Sequence, residues 1–222
     1  MILFRIYDLI EMIKRFEFNM FPVNCYVVWD ETLDAAVIDA GCFWKKEQEQ
    51  LKQFITDLGL TLRHVLNTHL HLDHVFGNAF LEREYGLKPE ANIKDDGQLD
   101  AAPRMCQMFG FEINEPVARV GKNLAEGDIV TIGNIKLDVI EVPGHSPGGL
   151  VFYSKEENLL FSGDSLFCGS IGRTDLLGGD FYILKESLRN KVLTLPDETI
   201  VYPGHGETTT IGNEKMNNPF FR

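Results

Sequence analysis

Apolar and polar positions along the chain fall into short runs separated by turn residues. Phe16 and Phe18 alternate with Glu17 and Asn19 ahead of a turn at Pro22, and further apolar runs follow at 25–29 and 35–38. Such runs predict strands. Leu51, Phe54, Ile55 and Leu58 then keep the i, i+3, i+4, i+7 spacing of an amphipathic helix, with Gly59 as its cap. A strand is predicted at 62–66, and a helix opens at Phe76, Ala79 and Phe80 and stops near Gly86. Ala102, Met105, Cys106 and Phe109 predict another helix, with Pro103 in its first turn.

The second half opens on a hairpin. Runs at 129–132 and 135–142 flank Gly133-Asn134, a two-residue turn of the kind hairpins favour. Strands are predicted at 150–153 and 159–161. Asp180 is placed to cap a helix through Leu184 and Leu188 to about Val192, and 200–202 reads as the last strand. Both halves run strands, helix, strand, which fits one layered α/β domain over 1–222.

Composition narrows the class. The chain has 222 residues, 44% hydrophobic and 24% charged, which is a globular balance and excludes disorder over most of its length. Its net charge of −12 repels phosphate backbones, so no nucleic-acid partner is expected. No apolar run approaches a membrane span, and no membrane partner is expected. Residues 1–11 lack the basic start and cleavage site of a signal peptide. They read as an N-terminal extension, with Met12 as an alternative initiator. Cys25, Cys42, Cys106 and Cys168 are too sparse for a disulfide scaffold and read as free thiols of a cytoplasmic protein.

The chemistry concentrates in a few turns. Of six histidines, His69, His71 and His74 fall close together, with Asp73 between the last two, just past a predicted strand. Packing gains nothing from four polar side chains there, whereas imidazole and carboxylate together suit zinc, iron or manganese. His145 in Val142-Pro143-Gly144-His145, Asp164 in Ser162-Gly163-Asp164 and His205 in Pro203-Gly204-His205 also follow strands. In each case a glycine lets the backbone turn and a ligand-type side chain follows. His64 lies inside a strand and reads as structural. Five histidines and two aspartates exceed the four ligands of one closed zinc site and suit two ions.

At these residues the sequence resembles the metallo-β-lactamase superfamily. The resemblance spans the chain from about Phe16 to the end and rests on H-x-H-x-D-H at 69–74, followed by His145, Asp164 and His205 in order, with Asp39 after the third strand. It implies a four-layer αββα sandwich with the metals at one edge. It also implies a ligand set: His69, His71 and His145 on a first ion, Asp73, His74 and His205 on a second, and Asp164 bridging them together with a metal-bridging water. Asp39 would orient a ligand by hydrogen bonding. Two divalent ions are implied, zinc foremost, with iron or manganese as alternatives.

Within the superfamily the short glyoxalase II branch is the most similar, through Asp164-Ser165-Leu166-Phe167, Gly172-Arg173-Thr174-Asp175, Thr208-Thr209-Thr210-Ile211-Gly212 and Asn218-Pro219-Phe220. Classical glyoxalase II also carries a helical C-terminal domain that holds glutathione, and the seventeen residues after His205 do not match it. The resemblance implies hydrolysis of a small-molecule thioester such as an S-acylglutathione, with Asp73 needed for turnover and Arg173 a candidate for holding a substrate carboxylate. The alternative is a persulfide dioxygenase, which resembles the same branch. It would place one iron on His71 or His69, His145 and Asp164. Substrate choice is assigned to the loops at 166–180 and 103–116.

Overall fold

The computed structural model describes residues 12–113 and 115–222. The expected extension over 1–11 lies outside them. A first sheet orders strands β1 (Ile13–Phe18), β2 (Val23–Trp29), β3 (Asp34–Ile38), β4 (Thr61–Leu66), β5 (Glu90–Ala91) and β6 (Lys122–Asn123) side by side. A second sheet runs β14 (Thr209–Thr210), β13 (Ile200–Pro203), β10 (Leu159–Gly163), β9 (Leu150–Ser154), β8 (Ile135–Glu141) and β7 (Ile129–Ile132). A small hairpin pairs β11 (Leu166–Phe167) with β12 (Ser170–Ile171).

The two sheets bury one apolar face against each other. Tyr26, Val28, Ile38 and Leu66 of the first sheet pack with Ile132, Leu137, Phe152 and Phe161 of the second. The outer face of the first sheet is covered by α1 (Lys45–Asp57) and α3 (Asn78–Tyr85), through Leu51, Ile55, Phe80 and Leu81. Full burial of a side chain such as Leu51 contributes roughly 1.5–3 kcal/mol. The outer face of the second sheet is covered by α5 (Phe181–Ser187), a π-helical turn at Leu188–Val192, and α6 (Ile211–Asn217). The result is the expected αββα sandwich. With both faces covered, β2 is buried along nearly its whole length instead of alternating.

Most expected elements are present, with shifts at their ends. Leu58 lies past α1 and is exposed, and the helix expected from Ala102 is α4 (Ala102–Met108), with Pro103 in its first turn. The helix expected from Phe76 is α3, and a separate short helix, α2 (Leu72–Val75), precedes it. They part at Gly77, whose amide donates to the Ala40 carbonyl at 2.6 Å. A Cβ there would lie 2.3 Å from Cys42 Sγ, so only glycine permits this approach. The Gly133-Asn134 hairpin forms as expected, with Ile132 opposite Ile135. Asp180 caps α5 by accepting from the amides of Tyr182 and Ile183. His64 is structural: Nδ1 lies 2.6 Å from Glu90 Oε1 and Nε2 lies 3.1 Å from the Thr131 carbonyl, linking the two sheets. All four cysteines are unpaired. Among the described residues no helix is long and apolar enough to cross a membrane.

Candidate metal centre

The loops that carry the seven candidate ligands meet at one end of the sandwich. Several backbone bonds lock the two sheets together there. The Asn24 amide donates to the Gly204 carbonyl at 2.7 Å, and the Leu150 amide donates to the Thr68 carbonyl at 2.7 Å. The Tyr26 hydroxyl donates to the Pro203 carbonyl at 2.7 Å. Strand ends fixed in this way hold side chains more precisely than a free loop does.

Three of the histidines converge first. His145 Nε2 lies 2.9 Å from His71 Nδ1 and 3.2 Å from His69 Nε2. Asp73, His74 and His205 converge beside them: His205 Nε2 is 3.1 Å from Asp73 Oδ2, and His74 Nε2 is 3.7 Å from the same oxygen. Asp164 stands between the two groups. Its Oδ1 is 3.3 Å from His74 Nε2, and its Oδ2 is 3.6 Å from both His145 Nε2 and His205 Nε2. The structure thus brings together all seven residues singled out from the sequence.

Three rings are anchored through their far nitrogen, which fixes the tautomer and turns a lone pair inward. His145 Nδ1–H donates to the Arg173 carbonyl at 2.7 Å. His205 Nδ1–H donates to the Pro22 carbonyl at 3.1 Å. His69 Nδ1–H donates to Thr68 Oγ1 at 3.1 Å, and that hydroxyl donates to Asp39 Oδ2 at 2.7 Å. Asp39 also accepts from the Thr68 amide at 2.8 Å. Its Oδ2 lies 3.1 Å from His74 Nδ1 at an angle too poor for a hydrogen bond. It adopts a φ of 53°, a left-handed conformation that aspartate tolerates better than most residues. Asp39 therefore braces the His69 strand end directly and faces His74.

Charge and burial agree with a cation site. Burial, reinforced by the neighbouring imidazoles, keeps His69 below its ordinary pKa and pulls His71 down to about 4. Burial lowers His145 as well, against the pull of Asp164. These three rings are neutral at pH 7, as metal ligands must be. Burial opposes ionisation of Asp164, yet His74, His205 and His145 hold it below the usual carboxylate range. Burial likewise opposes ionisation of Asp73, and His74 and His205 outweigh it. For His74, burial favours the neutral ring, but the carboxylates of Asp164, Asp73 and Asp39 overcome it and raise its pKa. The carboxylates thus call for positive charge at this point. His74 Nε2 and Asp164 Oδ1 are both buried without a hydrogen-bond partner. Such orphans are rare in folded proteins, and a divalent cation between them would satisfy both. The donor set fits a metal.

The centre opens into a cleft of about 540 Å³. Met105 and Phe109 line it, as do Phe167, Ile171 and Leu176. Both loops expected to govern substrate choice therefore line it. Arg173 lines this cleft, but its guanidinium forks onto Asp175 at 2.7 and 2.8 Å, while its carbonyl holds His145.

Two buried carboxylates that the sequence reading missed support the site. Asp95, in a 3₁₀ helix at Ile93–Ala101, accepts from the Gly148 amide at 2.6 Å, the Ser146 hydroxyl at 2.7 Å and the Leu70 amide at 3.3 Å. It joins the His69–His71 turn to the His145 turn. Glu214 accepts from the Gly169 amide at 2.9 Å and from Thr209 and Asn218, fixing the β11–β12 hairpin beside the cleft. Neither stands in a local pattern. The one signal in the sequence was Ser146 and the two glycines after His145, which invite a close polar neighbour.

The profile of the metallo-beta-lactamase superfamily matches residues 19–205. The chain is 39% identical to the hydroxyacylglutathione hydrolase GloC of Haemophilus influenzae over 90% of its own length and 93% of that protein. Among solved structures it is similar to BLEG-1, described as a B3 metallo-beta-lactamase, with a TM-score of 0.83 and 35% identity over 95% of this chain and 99% of that one. It is equally similar to TTHA1623 in a di-iron-bound form, with a TM-score of 0.83 and 36% identity over 93% of this chain and 99% of that one. Fold, site geometry and these likenesses agree: the chain belongs to the metallo-beta-lactamase superfamily.

Proposed function

We propose that this protein is a binuclear metal-dependent hydrolase of small-molecule thioesters such as S-acylglutathione. The carrying observation is the convergence of seven donors into two groups with Asp164 between them. His69, His71 and His145 would hold one ion, Asp73, His74 and His205 the other, and Asp164 would contact both. The likeness to a hydroxyacylglutathione hydrolase supports the choice of substrate. Zinc is the first expectation; iron and manganese accept the same donors, and a similar protein holds two irons. Bound metal would lower the pKa of a water towards about 7 and supply hydroxide at neutral pH.

The chain's own groups do the rest. The neutral rings of His69, His71 and His145 offer lone pairs without adding charge. The Arg173 and Pro22 carbonyls and the Thr68 hydroxyl keep those lone pairs aimed inward. The apolar walls of the cleft strip water from the thioester and set its carbonyl over the donor cluster. In the reaction a C–O bond forms and the C–S bond breaks, giving a carboxylate and a thiol, with one water consumed. Arg173 is available to a substrate carboxylate only by leaving Asp175.

Elemental mass spectrometry with a thioester panel tests this reading. About two ions per chain and turnover of acylglutathiones are expected. One iron per chain with oxygen uptake on glutathione persulfide would instead establish the dioxygenase. Turnover of a cephalosporin but no thioester would establish a β-lactamase.

A further inference from the structure

A second, smaller cavity of about 90 Å³ adjoins the cleft. The two share His71, Leu72, Met105 and Leu176 as lining, so the small one is an annex of the large one. The annex is apolar. Leu70, Leu72, Leu99 and Ala102 are all buried against it, and of its lining side chains only His71 and Gln98 are polar. Its outer lip is Leu177, which is 85% exposed, an unusual cost for a leucine that covers nothing. Exposed apolar side chains continue along the cleft at Phe109 and beside it at Met108, 57% and 77% exposed. Among the described residues lining cleft and annex the only lysine or arginine is Arg173, and Asp175 already occupies its guanidinium.

We propose that the annex is the acyl-chain subsite, and that the substrates are thioesters of unbranched, uncharged acyl groups of about four or five carbons. This rests on the thioester-hydrolase reading and narrows it. The annex opens beside His71, at the end of the cluster where His69, His71 and His145 meet. A carbonyl held at that end sends its chain past His71 and Leu72 into the annex. The thiol then leaves along the open cleft towards Phe167 and His205. A volume of about 90 Å³ is on the order of three water molecules. That is room for three or four methylenes beyond the carbonyl. A chain ending in a charge would lose its hydration with no charged partner in the annex, where Gln98 offers only a neutral amide. With no free cation in the lining, the two carboxylates of a glutathione moiety add little to binding.

The experiment is a chain-length series of S-acyl N-acetylcysteamine thioesters, from acetyl to decanoyl, on the metal-loaded protein, with S-pentanoylglutathione alongside. kcat/KM is expected to rise about fourfold per methylene from acetyl to pentanoyl, the effect of burying one CH₂, and to level off or fall beyond pentanoyl. The glutathione ester is expected to stay within a few-fold of its N-acetylcysteamine counterpart. Ala102→Phe, which fills the annex, is expected to cut the pentanoyl-to-acetyl ratio at least tenfold. Leu177→Asp does the same from an exposed position that the fold does not need, so a misfolded Ala102 variant leaves the test intact. Thioester turnover with a flat chain-length profile, or a ratio unchanged in Leu177→Asp, overturns the annex proposal and leaves the hydrolase reading standing. A glutathione ester preferred by more than tenfold overturns the claim about charge. No turnover of any thioester overturns both readings.

Discussion

Asp95 offers the sharpest test of how the site is held. Its carboxylate is fully buried and serves as acceptor for the Gly148 amide, the Ser146 hydroxyl and, at 3.3 Å, the Leu70 amide. A Cβ on Gly148 would lie 2.8 Å from Asp95 Cγ, so the glycine is there to admit this side chain. Asp95→Ala leaves these donors buried and unmatched. At about 1–3 kcal/mol per orphaned group, with the long Leu70 bond counted as weak, the loss is about 3–5 kcal/mol. Part is recovered, because burial of this carboxylate is itself unfavourable and pushes its pKa above the usual range. The net expectation is a loss of about 2–4 kcal/mol. Asp95→Asn keeps one acceptor oxygen for Gly148, and Ser146 can turn to accept from the new amide; about 1 kcal/mol is expected. Urea unfolding of metal-stripped protein reads the difference as a midpoint shift of about 1 M for the alanine variant. A chelator competition on folded protein then reads metal affinity, expected to fall by 10–100-fold, as for loss of other groups that hold ligands in place. If Asp95→Ala unfolded within about 0.5 kcal/mol of the parent and held metal as tightly, the two histidine turns would be braced by something else.

Three further outcomes follow from the same geometry. Gly204→Ala would place a methyl 2.2 Å from Asp164 Oδ1 and 2.8 Å from His74 Cε1, so metal content by elemental analysis is expected to fall below one ion per chain while circular dichroism shows the fold retained. Asp73→Ala is expected to lower kcat more than about 100-fold, beyond what loss of an outlying partner costs, with a melting temperature close to that of the metal-stripped parent; full activity would refute the role given to the Asp73, His74 and His205 group. Glu90 is held below its ordinary pKa because the bonds from His64 at 2.6 Å and Lys122 at 2.7 Å outweigh its burial. A depressed carboxylate stabilises the fold above its unfolded pKa of about 4.3 and loses that contribution as pH falls through the folded value. Glu90→Gln is therefore expected to flatten the fall in urea midpoint below about pH 4.3.

What could be read from the sequence, and what could not, divides by range. Strands such as Val23–Trp29 and Ile135–Glu141 are long enough to carry a pattern, and the Gly133-Asn134 turn declares itself locally. The two-residue strands Glu90–Ala91 and Lys122–Asn123 carry no period. They exist because a parallel edge is available beside Leu66. The seven donors were legible for a similar reason, since each sits in a short stretch whose polarity makes no sense as packing. Asp95 and Glu214 were not, because their partners lie at distant positions: Leu70 and Ser146 for the first, Gly169 for the second. An isolated acid in a polar stretch is the commonest thing on a protein surface; only tertiary structure reveals that these two are buried. The same holds for the annex, whose leucines come from the His71 turn, the 3₁₀ helix and the Leu176–Leu177 turn. Local pattern therefore announces the seven candidate donors, while the groups that aim them and much of the proposed acyl subsite are assembled from distant segments.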